Sequence, residues 1–148
     1  MSELELKVKP PILWVILALP ALLGDFEGVH SMYFNAACVL LLLAGFLGIG
    51  SLLQFMKAAT THHPHTPEQS STLVTKGCYQ LTRNPMYLGL LLMLIAVHIA
   101  FASGWGFLSV PLFVVWLTRF QIQVEERVLR ERFGQTYINY CQRVRRWI

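Results

Sequence analysis

Cysteine is scarce in this chain, and its spacing excludes several kinds of site. The three cysteines, Cys38, Cys78 and Cys141, form no Cys-x-x-Cys pair, so neither a disulfide framework nor a cysteine-based metal or redox centre is expected. The segment His62-His63-Pro64-His65 does not change this expectation. Adjacent histidines do not easily face one ion, and no cysteine or carboxylate is suitably spaced to complete a ligand set. The sequence therefore predicts no metal.

Charged residues are also sparse, and this excludes an ordinary soluble domain. Only 14% of the residues are charged, whereas 55% are hydrophobic. That balance is typical of an integral membrane protein. No internal repeat or low-complexity linker divides the 148 residues, so the chain is predicted to form a single domain, 1–148.

Four apolar runs predict an all-α membrane protein with about four transmembrane helices. The runs cover residues 11–23, 33–56, 86–102 and 105–120, with a polar loop at 57–84 and a polar tail at 121–148. Very few residues join the third and fourth runs, which predicts a tight helical hairpin. Apolar residues recur at three-to-five-residue intervals in the tail, and this spacing predicts an amphipathic C-terminal helix on the cytoplasmic side.

The first apolar run has an alternative interpretation. It is shorter than the roughly 20 residues that a span requires, and Ala18-Leu-Pro-Ala21 loosely resembles a signal-peptide cleavage site. Two glutamates in the leading segment MSELELKVK differ from the basic start of a signal peptide. A retained helix is therefore the favoured prediction.

Lysine and arginine are absent from two predicted connections, 24–32 and 103–104. All 12 basic residues lie before the first run, in the 57–84 loop, or at and beyond the end of the fourth run. The positive-inside rule then places both termini and the loop on the cytoplasmic side of a bacterial-type inner membrane or an internal membrane. Basic residues on that side would attract anionic lipid headgroups of the bilayer, so the net charge of +4 does not require a nucleic-acid partner.

The most informative motif begins in the polar loop. Residues 73–89 read LVTKGCYQLTRNPMYLG, Glu125-Glu126 follows the fourth run, and residues 133–140 read FGQTYINY. This order resembles the isoprenylcysteine carboxyl methyltransferase and phospholipid methyltransferase superfamily. There, Leu-Val-Thr-x-Gly-x-Tyr leads to Arg-His-Pro-x-Tyr-x-Gly, and Glu-Glu precedes Phe-Gly-x-x-Tyr-x-x-Tyr. The resemblance covers roughly the C-terminal half of the chain.

The resemblance implies an integral membrane methyltransferase that uses S-adenosylmethionine and releases S-adenosylhomocysteine. Its substrate would be lipid-like or prenylcysteine-like and would be methylated at the cytoplasmic membrane face. Arg83 and Glu126 are the candidate catalytic residues. The implied cofactor-binding residues are Ser71, Thr72, Leu73, Val74, Tyr79, Asn84, Pro85, Met86, Tyr87, Gln121, Glu125 and Glu126.

Two of these positions depart from the family pattern. Asn84 replaces the family's histidine, so it keeps a neutral donor but loses a proton-transfer role. Gln121 stands where the eukaryotic carboxyl methyltransferases have an arginine. Arg119 is two residues earlier, and on a helix it would point about 200° away.

The methyl acceptor is left open by the sequence. A carboxylate is already ionised near pH 7, whereas an amine must first lose a proton, for which Glu126 could serve as base. Phospholipid amine N-methylation is therefore an alternative function. A non-catalytic membrane scaffold or transport component that retains the fold is another, and the oligomeric state is not predicted.

Two local predictions concern the edges of the proposed site. Pro85 suits the first turn of a helix, so the third helix is predicted to begin near Asn84-Pro85. The tail from Arg143 to Ile148 is predicted to be an interfacial anchor, with Trp147 in the headgroup region.

Overall fold

The computed structural model describes residues 9–23, 31–60, 73–101 and 104–148. Every regular element in these residues is helical, which confirms the all-α prediction. The α-helices are α1 (Pro10–Ala18), α2 (Ser31–Thr60), α3 (Pro85–Ala100), α4 (Ser109–Leu117) and α5 (Gln123–Arg143). Short 3-10 helices occur at Leu19–Leu23, Gly77–Gln80 and Trp105–Leu108, and a π-helical turn occurs at Thr118–Ile122.

The helical segments differ from the predicted runs mainly in the C-terminal half. Helix α3 begins at Pro85, with Asn84 as its N-terminal cap residue. The run at 105–120 is not one regular helix, because it comprises a short 3-10 segment, α4 and most of the π-helical turn. That turn leads directly into α5, so the fourth apolar run and the polar tail follow one helical path, which is interrupted at Gly134.

Helices α2 and α3 approach closely because small residues line their contact. A side-chain carbon added at Gly89 would lie 3.0 Å from the Ala44 carbonyl oxygen and 3.3 Å from the Gly48 amide nitrogen. Ala44 and Ser51 are buried on the same face of α2. Such close backbone packing is typical of helix pairs in membranes, and it fixes α3 against α2.

A second core joins α1, α3 and α4. Its buried members are Leu13, Leu94, Phe113, Leu117 and Ile122. The indole of Trp14 donates a hydrogen bond to the Leu90 carbonyl at 3.0 Å.

A buried polar contact connects α3 to α4. His98 Nε2 lies 2.7 Å from the Ser109 hydroxyl, which itself donates to the Gly106 carbonyl at 2.6 Å. Since the hydroxyl proton is used there, Nε2 of His98 is the donor to Ser109. The contact gives His98 a structural role in holding the two helices together.

Exposed apolar surface supports membrane association. Residues 33–57 and the path over 106–143 are long and apolar enough to cross a bilayer, whereas the apolar helices Pro10–Leu22 and Pro85–Ala100 are shorter. On α2, the side chains of Leu42, Phe46 and Ile49 are 75%, 66% and 62% exposed. A continuous apolar surface of this kind is unfavourable in water and favourable against lipid.

Candidate active site

A cavity of about 460 Å³ opens where α2, the 73–84 segment, the start of α3 and α5 meet. Its volume lies within the range of about 300–1,000 Å³ that is typical of small-molecule sites. Most of its wall is apolar or aromatic, with a few charged and polar groups. The lining residues are Phe55, Leu73, Val74, Tyr79, Arg83, Asn84, Pro85, Met86, Tyr87, Glu125, Val128, Leu129, Arg132, Phe133, Tyr137 and Tyr140.

The carboxylate of Glu125 is held at the cavity by two donors. The Tyr87 hydroxyl donates to Oε1 at 2.6 Å, and the Gln121 amide donates to the same oxygen at 2.9 Å. Among the described residues no other hydrogen bond to this carboxylate is made, so Oε2 is left for a ligand. Gln121 does not line the cavity, and its contribution is to orient Glu125.

The π-helical turn at Thr118–Ile122 precedes this carboxylate by three residues. A π-helical turn inserts one extra residue into a helix and is frequent at functional sites. Here Ile122 is fully buried, while Arg119 is exposed and its guanidinium lies 5.8 Å from the Phe120 ring centroid. Arg119 is not part of the cavity wall.

Tyr79 reaches the cavity from a tight turn that Gly77 makes possible. Gly77 has φ +62°, and a side chain there would overlap with Gln54. The Gln54 side chain accepts a hydrogen bond from the Cys78 amide at 3.1 Å, and the Tyr140 hydroxyl donates to the Tyr79 carbonyl at 2.7 Å. Burial raises the pKa of Tyr79, so its hydroxyl stays protonated at neutral pH and can act as a donor.

The two candidate catalytic residues form an ion pair, in which one residue lines the cavity and the other lies behind its wall. Arg83 lines the cavity, and its Nη2 lies 3.1 Å from Glu126 Oε1. Glu126 is 8% exposed and does not line this cavity. Arg146 binds the same carboxylate through Nε at 3.0 Å and Nη2 at 2.7 Å, and this bonding raises the pKa of Arg146.

Sequence reasoning missed the contribution of the C-terminal residues to this wall. The Arg145 carbonyl accepts a hydrogen bond from the Arg83 amide at 2.9 Å. The Arg146 carbonyl accepts bonds from the Thr82 hydroxyl at 3.1 Å and the Asn84 side chain at 2.9 Å. The Asn84 side chain therefore makes no helix-capping bond and instead fastens the tail to the start of α3.

The indole of Trp147 also fastens the C-terminal segment to the rest of the protein. It donates to the Thr118 hydroxyl at 3.1 Å and packs against both the α1–α3–α4 core and the cluster of Leu47, Cys78 and Leu88. The segment is fastened to the protein because its carbonyls and its indole find partners on the loop and on the helical path. Trp147 thus packs within the protein, and its place at the headgroups stays a prediction.

Most of the predicted site residues converge on the cavity. Those that line it are Leu73, Val74, Tyr79, Arg83, Asn84, Pro85, Met86, Tyr87 and Glu125. Gln121 and Glu126 lie behind its wall. Ser71 and Thr72 lie outside the described residues, as do His62, His63 and His65.

Several lining residues were not assigned to the site from the sequence. They are Phe55, Val128, Leu129, Arg132, Phe133, Tyr137 and Tyr140. For Phe133, Tyr137 and Tyr140 the available signal was the motif at residues 133–140. For Val128 and Leu129 it was the apolar spacing along the tail, which predicts an amphipathic helix. Within the described residues, no cluster of histidine, cysteine and carboxylate side chains could hold a metal ion.

Comparison with known proteins adds independent information. The sequence matches the phospholipid methyltransferase family over residues 32–136. An uncharacterized protein of Haemophilus influenzae is 41% identical over 63 residues, which are 43% of this chain and all of that protein.

Two plant proteins are similar over a longer segment. Protein-S-isoprenylcysteine O-methyltransferase B of Arabidopsis thaliana is 35% identical over 80 residues, covering 52% of this chain and 39% of the plant protein. A probable protein-S-isoprenylcysteine O-methyltransferase of Oryza sativa subsp. indica is also 35% identical over 80 residues, covering 52% and 40%. The matched segment thus spans about two-fifths of each plant protein. No solved structure matches the chain.

Proposed function

The chain belongs to the phospholipid methyltransferase family, and we propose that it transfers the methyl group of S-adenosylmethionine to a lipid-like or prenylcysteine-like substrate at the cytoplasmic face of a membrane. The observation that carries this proposal is the composition of one cavity. An oriented carboxylate, Glu125, and a cation, Arg83, share it with aromatic rings and an apolar wall. A methyl donor and a lipid-like acceptor together require these types of surface.

The polar groups of the cavity fit the donor. Glu125 Oε2 suits a ribose hydroxyl or an ammonium group, and the ring of Tyr79 offers an aromatic surface for adenine. Arg83 Nε is buried and has no hydrogen-bond partner among the described residues. Arg83 nevertheless lines the cavity and contacts Glu126 through Nη2, so a ligand carboxylate can bind the guanidinium edge that faces the cavity. The donor, when bound, supplies an electrophilic methyl group on a sulfonium.

The apolar wall fits the acceptor. Phe55, Val128 and Phe133 come from α2 and α5, where a lipid-like chain can enter between helices. Methyl transfer depends on in-line approach and on exclusion of water. The aromatic and aliphatic side chains supply the water exclusion, while Tyr87 and Gln121 fix the one carboxylate in the wall.

The acceptor group decides whether the cavity must also remove a proton. The plant relatives are named as protein-S-isoprenylcysteine O-methyltransferases, and a carboxylate acceptor on a prenylcysteine would need no base. An amine acceptor, as in phospholipid N-methylation, would need one. Among the described residues that line the cavity, Glu125 is the one carboxylate that could serve, because both oxygens of Glu126 are bound by guanidinium groups.

The proposal includes four membrane spans, formed by the two long helical segments and the two shorter apolar helices. Both termini then face the cytoplasm, as the distribution of basic residues favours. This orientation gives Glu125 access to the cellular pool of the donor.

Ligand binding by the purified protein tests the proposal. Calorimetry in detergent should detect binding of S-adenosylhomocysteine, and the ligand at 100 times its Kd should stabilise the protein by about 2.7 kcal/mol. No heat and no thermal stabilisation at millimolar ligand would instead support a non-catalytic scaffold. Labelled donor with extracted lipids or prenylcysteine analogues would then separate amine from carboxylate methylation.

A further inference from the structure

Three charged side chains form a triad that begins at the cavity and ends at the C-terminal tail. Arg83 contributes to the cavity wall, Glu126 lies behind it, and Arg146 binds Glu126 from the tail. The side chains of Arg83 and Glu126 are 13% and 10% exposed. Because water reaches this pair poorly, its ionic contacts are screened less than surface contacts.

The two arginines share the Glu126 carboxylate unequally. Arg146 binds both oxygens, with Nε 3.0 Å from Oε1 and Nη2 2.7 Å from Oε2. Arg83 reaches Oε1 alone, through Nη2 at 3.1 Å. A guanidinium prefers to bind a carboxylate through two parallel bonds. Arg146 already makes this bidentate contact with Glu126, so Arg83 is left with one oxygen.

This arrangement leaves Arg83 available for a ligand. Arg83 lines the cavity, and among the described residues its ion pair with Glu126 is made through Nη2. Its main chain is also fixed, since the Arg83 amide donates to the Arg145 carbonyl at 2.9 Å. Without Arg146, Arg83 would be the guanidinium that remains within ion-pair distance of the buried Glu126 carboxylate among the described residues, and a bidentate bond between the two would be open.

We propose that Arg146 is a positioning residue, which occupies Glu126 and thereby keeps the Arg83 guanidinium free to bind the carboxylate of the methyl donor. The inference rests on the proposed function, because it requires the donor in this cavity. It assigns to the C-terminal tail a part in donor affinity, exerted through Glu126 and Arg83 and without contact between Arg146 and the ligand.

Two ligands separate this role from a purely structural one. S-adenosylhomocysteine carries the amino-acid carboxylate, whereas 5′-methylthioadenosine has the same nucleoside and thioether without it. We expect Arg146→Ala to weaken S-adenosylhomocysteine binding by about ten-fold, as for loss of one charge-assisted hydrogen bond. Binding of 5′-methylthioadenosine should stay close to that of the parent protein. Both affinities are measured by calorimetry on the full chain in detergent.

Three further variants sharpen the test. Arg146→Lys should give a smaller loss in the same direction, because one ammonium does not occupy both oxygens as a guanidinium does. If Arg146→Ala does not fold, Arg146→Lys provides the test in its place. Glu126→Gln combined with Arg146→Ala should recover part of the lost affinity, since a neutral amide attracts Arg83 less. Arg143→Ala, which removes the same charge from the exposed surface of α5, should bind both ligands as the parent does.

The outcomes are distinct. Selective loss of S-adenosylhomocysteine affinity, with recovery in the double variant, supports the inference. Equal weakening of both ligands, or a double variant worse than Arg146→Ala, shows a structural role and overturns it. If Arg146→Ala and Arg146→Lys both bind S-adenosylhomocysteine as the parent does, the inference is also overturned. If the parent protein binds neither ligand, the proposed function fails first, and the inference fails with it.

Discussion

Tyr87 and Glu125 are 38 residues apart in the sequence and meet through a 2.6 Å hydrogen bond. The bond joins the first turn of α3 to the first turn of α5, and both side chains line the same cavity. Glu125 thus has a defined position before any ligand arrives. Preorganised polar groups of this kind reduce the ordering cost of binding.

Removing either partner of this bond should weaken donor binding. Tyr87→Phe keeps the aromatic ring but leaves Glu125 held by Gln121 alone among the described residues. Glu125→Gln removes the charge that a ribose hydroxyl or an ammonium would bind. The loss of a charge-assisted hydrogen bond costs about 1.5–3 kcal/mol, which corresponds to roughly ten-fold or more in Kd. Calorimetry with S-adenosylhomocysteine measures the effect.

A suitable control for these variants is Gln135→Ala. Gln135 lies on α5, and its side chain donates to Asn139 on the exposed surface. The Gln135→Ala variant should bind S-adenosylhomocysteine with the affinity of the parent protein. If Glu125→Gln also bound like the parent, the donor site would have to lie elsewhere.

The sequence predicted those parts of the site that depend on local order. The 73–87 motif and Glu125 lie at element boundaries, and a short connection between apolar runs suggested that these boundaries would meet. The contribution of Arg146 was missed, because its carbonyl is bonded to Thr82 across 64 residues. No periodicity or propensity encodes such a contact, and the strongly basic tail also fits a membrane anchor.

The role of α5 was missed for a different reason. Periodic spacing identifies which residues of a helix share a face, but not what that face contacts. Val128, Phe133 and Tyr137 lie on both sides of the interruption at Gly134. Their side chains could equally cover a lipid surface, and in the structure they line one cavity. The resemblance implied Gln121 as a cofactor-binding residue, but it did not predict the bond to Glu125, which depends on side-chain geometry near the π-helical turn.

Both termini are expected on the cytoplasmic side. The basis is the absence of lysine and arginine from 24–32 and 103–104, compared with the basic loop and tail. Reporter fusions at each end, or labelling of single introduced cysteines in intact cells, would measure the orientation. A C-terminus on the outer side would contradict the proposal, since Glu125 and the tail would then face away from the donor pool.

Replacing Gly134 should destabilise the protein through its backbone alone. Gly134 interrupts α5 at φ 50° and ψ −125°, a conformation that is open to glycine and strained for other residues. A side-chain carbon added there would meet nothing within 4 Å, so steric overlap does not contribute. Gly134→Ala should therefore cost about 1–3 kcal/mol in free energy of unfolding, measured by thermal unfolding in detergent.

Gly45→Ala is the matched control for this prediction. Gly45 lies inside α2, and an added carbon there also meets nothing within 4 Å. Because alanine is favoured over glycine in a helix interior, this change should stabilise the protein by roughly 0.5–1 kcal/mol. The interruption at Gly134 also precedes Tyr137 and Tyr140, which line the cavity, so Gly134→Ala should weaken donor binding as well. Equal unfolding temperatures for the two variants would show that the bend in α5 does not depend on glycine.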